Sequence, residues 1–339
     1  MRWSLFCRVI DNFGDAGFCL RLARELRRRG EQVDLFIDDA TPLSWMQAGE
    51  ADALQALAWP THEAPPLGDV VIEAFGCELP AAVQAAMAAR ARPPLWINLE
   101  YLSAETYVER SHGLPSPQHS GPACGLVKRF CYPGFSAATG GLLIEHDLAR
   151  QQAEHRADAW LRSRGLPVDG ALRVSLFCYP SAPLADLFDA LAARSARLFV
   201  CGNPVLPSAP PGLQIQAMPL LSQADYDCLL WSCSLNLVRG EDSFVRAQLA
   251  GQPMLWQAYP QQDGAHEAKL EAFLTRYPDL PPEATQAWLA WNGFAPPGAL
   301  GDGLQALLSS GPQAGAWRQQ CLTGVELVTT LQQWAAQDA

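Results

Sequence analysis

The chain has 339 residues, 49% of them apolar and 17% charged, enough to bury two ordinary cores and too polar-poor for extended disorder. Its net charge of −11 is spread with no basic half or arm, which argues against sequence-independent binding to nucleic acid. No apolar run is long enough to cross a bilayer, and the ten cysteines form no CxxC pair, so a cytoplasmic protein with buried thiols is expected, without a membrane segment, disulfides or a structural metal.

Taken in chain order, residues 5–10 read as a strand and residues 17–29 as a helix, because Leu22, Ala23 and Leu26 recur at helical spacing. The run Arg27-Arg28-Arg29 closes that helix, where cations complement the helix dipole. Strands at 33–37, 70–75 and 95–99 follow, with helices at 81–91 and about 148–163. The Pro- and Gly-bearing stretch 112–141 reads as a long loop. Gly165-Leu166-Pro167 breaks the pattern, and the alternation resumes with strands at 174–179, 197–201, 235–238 and 254–257 and helices at 184–193, 225–231 and 244–250. This predicts two doubly wound α/β domains, residues 1–165 and 166–316, with a closing helix at 317–335 that returns to the first.

In such domains ligands bind beyond the carboxyl ends of the strands. Residues 11–17, DNFGDAG, occupy that place after the first strand. Gly14 and Gly17 permit close backbone approach, while Asp11 and Asp15 place two carboxylates around a small turn, a pattern suited to proton abstraction or cation capture. Asp15 could equally be a helix N-cap. Neither GxGxxG nor GxxxxGK[ST] occurs, and the six histidines show no HExxH spacing, so no metal site is expected.

The second polar concentration is LNLVRGEDSFVRAQLAG, residues 235–251. Arg239 and Ser243 beside a helix start make a seat for a diphosphate, and Glu241 and Asp242 suit sugar hydroxyls. Capping by Asp242 or Ser243, with Arg239 paired to Glu241, is the structural alternative. Phe177 and Tyr179 share one face of a strand near its end, either as core or as a surface on which a nucleobase stacks. Together these features outline a two-domain nucleotide-sugar transferase.

FCRVIDNFGDAGFCLRLAREL, RVSLFCY, MPLLSQADYDCLLWSCSLNLVRGEDSFVRAQLAG and WQAYPQQDGAHEAKLEAFL resemble the EarP family of protein-arginine rhamnosyltransferases that modify translation elongation factor P. DNFGD and RGEDSFVRAQ are its most specific pieces. The resemblance implies a GT-B architecture, two Rossmann-like domains facing across a cleft. It also implies metal-independent, inverting transfer of L-rhamnose from dTDP-β-L-rhamnose to an arginine of elongation factor P, which activates that factor for rescue of stalled ribosomes. By this likeness Asp15 is the general base, or the carboxylate that engages the acceptor nitrogen, with Asp11 supporting it. Phe177 and Tyr179 hold the thymidine, with Gln223 and Tyr226 nearby. Arg239, Glu241, Asp242 and Ser243 hold diphosphate and rhamnose, with Glu241 close to the reaction centre. Ala16, Leu20 and Leu220 depart from the family pattern, away from the proposed acids.

A guanidinium is cationic and a poor nucleophile, so carboxylates that orient it and accept its proton have a clear use. A sugar-nucleotide epimerase, or a transferase with a different acceptor, would share the donor features. A binding protein without turnover would need neither aspartate.

Overall fold

A computed structural model describes residues 1–10, 13–260, 264–277, 279–296 and 298–338. The chain divides into two units, Met1–His146 with Gly324–Ala339, and Asp147–Thr323.

The first unit runs β1 (Arg2–Cys7), α1 (Gly14–Arg28), β2 (Gln32–Ile37), α2 (Leu43–Met46), β3 (Leu57–Ala58), β4 (Val70–Ala74), α3 (Ala81–Ala88), β5 (Leu95–Leu99), α4 (Thr106–Ser111), β6 (Pro115–Pro117) and β7 (Val127–Cys131). Its seven strands stand in the order β3-β2-β1-β4-β5-β7-β6, parallel except for β6 against β7. Strand order reverses between β1 and β4, the switch point at which doubly wound sheets open a crevice. Apart from Arg2 at the start of β1, both central strands are buried, as a sheet covered on both faces requires. Phe18, Leu22 and Leu26 of α1 pack on one face with Leu5 and Ile72, whereas Val83 and Met87 of α3 pack on the other with Phe6 and Val71. Glu73, in the middle of buried β4, is tolerated because Trp96 Nε1 and Lys128 Nζ each donate to it at 3.1 Å.

The second unit contains α5 (Leu148–Glu154), α6 (Ala157–Ser163), β8 (Leu172–Leu176), α7 (Leu184–Ala192), β9 (Ala196–Val200), β10 (Leu213–Ala217), α8 (Gln223–Ser232), β11 (Leu235–Arg239), α9 (Asp242–Ala250), β12 (Met254–Gln257), α10 (Ala265–Arg276), α11 (Pro282–Trp291), α12 (Ala299–Leu308) and α13 (Gly311–Thr323). Five parallel strands stand in the order β10-β9-β8-β11-β12, with the reversal between β8 and β11. The helices α11 and α12 pack closely because Gly303 lets the backbone of Glu283 approach; a Cβ there would meet its carbonyl oxygen at 2.2 Å. The chain then returns to the first unit as α14 (Leu327–Asp338), whose Leu327, Val328, Leu331 and Trp334 enter the same core as α1.

Several expectations change in detail. Strand β1 ends at Cys7, where its pairing with β2 stops, and Ile10 is exposed in the loop that follows. The stretch 112–141 is not all loop: 127–131 joins the sheet beside β5, a long-range pairing without a periodic signature. The helix expected at 148–163 breaks at His155, whose ring docks on α8 through Ser232 Oγ at 2.9 Å and against the Trp231 ring. Trp160 Nε1 donates to Asp225 of α8 and Leu161 enters the second unit's core, so the division falls at 146/147 and Gly165-Leu166-Pro167 is an internal turn. The closing helix is two helices, parted at Gly324, with Glu326 accepting the Val328 and Thr329 amides at 2.9 and 2.8 Å to start α14. At the end of α1, Arg28 pairs with Asp52, and Arg29 pairs with Glu25 and Glu326.

Candidate functional site

In the first unit the candidate residues lie where β1 gives way to α1. The loop leaving β1 is shaped by carboxylates: Asp38 accepts the Val9 amide at 3.0 Å and Asp15 accepts the Ile10 amide at 2.8 Å. Asp15 is 2% exposed. It does not cap α1, since the N-cap position is Phe13 without a side-chain bond; Asp15 sits inside the first turn, where the helix dipole favours a negative group. Its second oxygen accepts the Tyr101 hydroxyl at 3.2 Å. Asp11 lies outside the described residues, so its relation to Asp15 is not part of the geometry. Ala16 and Leu20 are fully buried on α1.

Three residues that sequence reasoning passed over complete this end of the sheet. Tyr101 follows β5, stacked on Phe75 at 4.3 Å, and Phe75 follows β4 with a φ of 56°. Glu100 accepts Asn98 Nδ2 at 2.6 Å, and burial, reinforced by Glu73, pushes its carboxyl above the usual range against that hydrogen bond. The rule that ligands gather at carboxyl ends of strands points to all three, but their ranking needed the strand order.

In the second unit, Phe177 and Tyr179 lie just past the end of β8 rather than on it. The Phe177 amide donates to Leu237 O at 2.8 Å and the Tyr179 amide to Gln257 Oε1 at 2.7 Å, which fixes the segment over the switch point. Arg239, the last residue of β11, lays its guanidinium carbon 4.4 Å from the Phe177 ring centroid and 4.6 Å from that of Tyr179. The two aromatics therefore carry a cation, a contact invisible at a separation of sixty residues.

Gly240, at φ 66°, turns the chain from β11 into α9, and its carbonyl accepts Trp256 Nε1 at 2.8 Å. Glu241 holds the N-cap position without a side-chain cap bond, Asp242 opens the helix, and Ser243 Oγ donates back to Arg239 O. Neither Asp242 nor Ser243 caps α9 as the structural alternative required. First-turn amides have no carbonyl one turn earlier, and these stand beside Arg239, an arrangement that is chemically able to receive an anion.

Helix α8 brings the remaining candidates. Gln223 opens it and is buried; Tyr226 lies edge-on to Phe177, ring centroids 6.3 Å apart. Burial pushes the Tyr226 phenol well above its ordinary range, Asp242 and Asp227 adding to the shift and Ser243 opposing it. Phe177, Tyr179, Tyr226, Arg239 and Ser243 are thus one cluster. Sequence reasoning missed its frame: Asp227 and Arg246 join α8 to α9 by a buried two-pronged ion pair, although both stand inside the quoted motif. Leu220, just ahead of α8, is exposed. Among the described residues no three His, Cys, Asp or Glu cluster as a metal site.

Comparison with known proteins meets the chain over nearly its whole length. A family model described as elongation-factor P (EF-P) rhamnosyltransferase EarP matches residues 3–336. The protein-arginine rhamnosyltransferase of Pseudomonas putida is 46% identical, over 86% of this chain and 86% of the relative. That of Pseudomonas aeruginosa is 40% identical, over 94% and 92%. A solved structure reported as the structural basis for EarP-mediated arginine glycosylation of translation elongation factor EF-P is similar with a TM-score of 0.68 and 31% identity, covering 100% of this chain and 99% of that one. The glycosyltransferase VinC in complex with dTDP shares the fold at a TM-score of 0.58 and 15% identity, over 100% and 99%. With two parallel α/β units and these matches, the chain belongs to the EarP family of elongation-factor P rhamnosyltransferases, enzymes with the GT-B glycosyltransferase fold.

Proposed function

We propose that this chain transfers L-rhamnose from dTDP-β-L-rhamnose to an arginine side chain of translation elongation factor P, in the cytoplasm and with inversion at the anomeric carbon, so activating that factor for rescue of stalled ribosomes. The observation that carries the reading is Asp15, a buried carboxylate in the first turn of α1, in a chain whose family acts on EF-P. The reading assigns the acceptor to the first unit and the donor to the second.

On the acceptor side, Asp15, supported by Asp11, orients the guanidinium by charge and takes a proton as the new bond forms. The guanidinium nitrogen attacks the anomeric carbon, the bond from that carbon to the diphosphate oxygen breaks, and dTDP leaves with the electron pair. A single displacement of this kind inverts the configuration. On the donor side, Phe177, Tyr179, Gln223 and Tyr226 take the thymidine, while Arg239 and the amides at the start of α9 receive the charge developing on the diphosphate. Asp242 and Ser243 hold the sugar end, with Glu241 closest to the reaction centre.

Intact-mass analysis of elongation factor P after incubation with the protein and dTDP-L-rhamnose tests this. One added deoxyhexose mass, absent when the target arginine is changed to lysine, is the expected result. Donor binding without any added mass would overturn the acceptor and favour another one. For the residue roles, Asp15→Asn is expected to abolish transfer with donor affinity retained, and Glu241→Ala to damage both.

A further inference from the structure

The Asp15 carboxylate is held from two directions. The Ile10 amide reaches one oxygen from five residues away, whereas the Tyr101 hydroxyl reaches the other from the far end of β5, 86 residues along the chain. Tyr101 is itself fixed: its ring stacks on Phe75, centroids 4.3 Å apart and planes 12° from parallel. Phe75 is presented from left-handed backbone, φ 56°, its amide bonded to Leu99 O at 2.6 Å, and Phe18 closes edge-on against it at 5.3 Å. Since Phe18 and Asp15 share α1, the contacts form a closed circuit from Asp15 through α1 to Phe18, Phe75, Tyr101 and back.

We infer that Tyr101 is a positioning residue for the transfer reaction, setting the plane and the basicity of the Asp15 carboxylate; the inference rests on the role assigned to Asp15 above. A carboxylate has about four lone-pair sites, and donors reaching its two oxygens from different directions fix the plane of the group. A phenol donating to the charged form stabilises it, which keeps Asp15 ionised for an acceptor that is itself a cation. Left-handed backbone at a bulky residue persists where the surroundings hold it, and Phe75 is held by the Leu99 carbonyl, Phe18 and Tyr101.

The experiment compares Tyr101→Phe with the unchanged protein by the pH dependence of kcat for elongation factor P and by the affinity for dTDP. The variant keeps the ring stack and loses only the hydroxyl. The expected result is a fall in kcat of about tenfold or more, unchanged dTDP affinity, and an acid limb displaced to higher pH, because a carboxylate stripped of a donor binds its proton more readily. Tyr101→Leu, which also removes the stack, is expected to lose more kcat at the same dTDP affinity. An unchanged kcat and acid limb in Tyr101→Phe would overturn the inference, as would a lower kcat with an unmoved limb, the mark of a merely structural role. Asp15→Asn in parallel separates the two failures: if it stays fully active the role of Asp15 itself is wrong, and if it is inactive while Tyr101→Phe behaves as the unchanged protein, only the positioning role falls.

Discussion

Arg246 closes on Asp227 with two hydrogen bonds, Nε to Oδ1 at 2.9 Å and Nη2 to Oδ2 at 2.8 Å, and the side chains are only 3% and 7% exposed. Such a fork holds α8, with Gln223 and Tyr226, in a set relation to α9. Replacing one partner strands the other charge in a dry interior, a cost of about 3–5 kcal/mol. Arg246→Met is therefore expected to lower the unfolding free energy obtained from urea titration by that order and to weaken dTDP binding, both measurable on the same preparation.

Arg239→Lys keeps the charge and loses the plane. The guanidinium lies against two rings and offers a fork suited to a diphosphate; an ammonium on a flexible stem does neither. Calorimetric titration with dTDP is expected to show affinity falling by about 2 kcal/mol, some thirtyfold, with the melting temperature nearly unchanged.

Gly141 marks the place where the returning C-terminal segment meets the first unit. Its φ is 81°, and a Cβ there would stand 2.1 Å from the Val325 carbonyl oxygen, beside the bridge between Leu142 and Glu326. Gly141→Ala combines an unfavourable backbone with a backbone collision, expected to cost about 3 kcal/mol or more. Thermal unfolding should move down, and limited proteolysis should release α14 first.

His112 accepts the Tyr132 amide at 3.1 Å through Nδ1 and packs against Trp334 of α14, over which Arg129 also lies. Burial, with the Arg129 charge adding to it, pulls the imidazole from 6.5 down to about 4. The folded state thus resists a proton that the unfolded chain accepts. Its contribution to stability is complete above about pH 6.5 and is lost as the pH falls toward about 4. His112→Gln retains an acceptor for the Tyr132 amide without taking a proton. Urea unfolding at about pH 7.5 and about pH 5 is expected to show a smaller acid-side loss for that variant.

Apolar runs with 3.6-residue and unbroken periodicity were enough to place most central elements: 95–99 and 254–257 coincide with β5 and β12, and the two switch-point loops follow the strands expected to precede them. Those signals are local, since each run must cover its own face of sheet or helix. DNFGD and RGEDSFVRAQ are local as well, and marked both candidate regions and the family they resemble.

What the order of residues left open depended on partners distant in the chain. Residues 127–131 become a strand only beside β5, and the helices at 148–163 join the second unit only because His155, Trp160 and Leu161 find α8 and its core. Apolar periodicity determined two α/β units, and the two motifs marked a candidate region after a strand in each. Tertiary structure decided that Arg239 would lie between Phe177 and Tyr179, that Arg246 would be answered by Asp227, and that Asp15 would take a hydroxyl from Tyr101. Periodicity reports which face of an element is buried; only the folded chain brings together side chains separated by tens of residues, and there burial and short range give their hydrogen bonds and charges their strength.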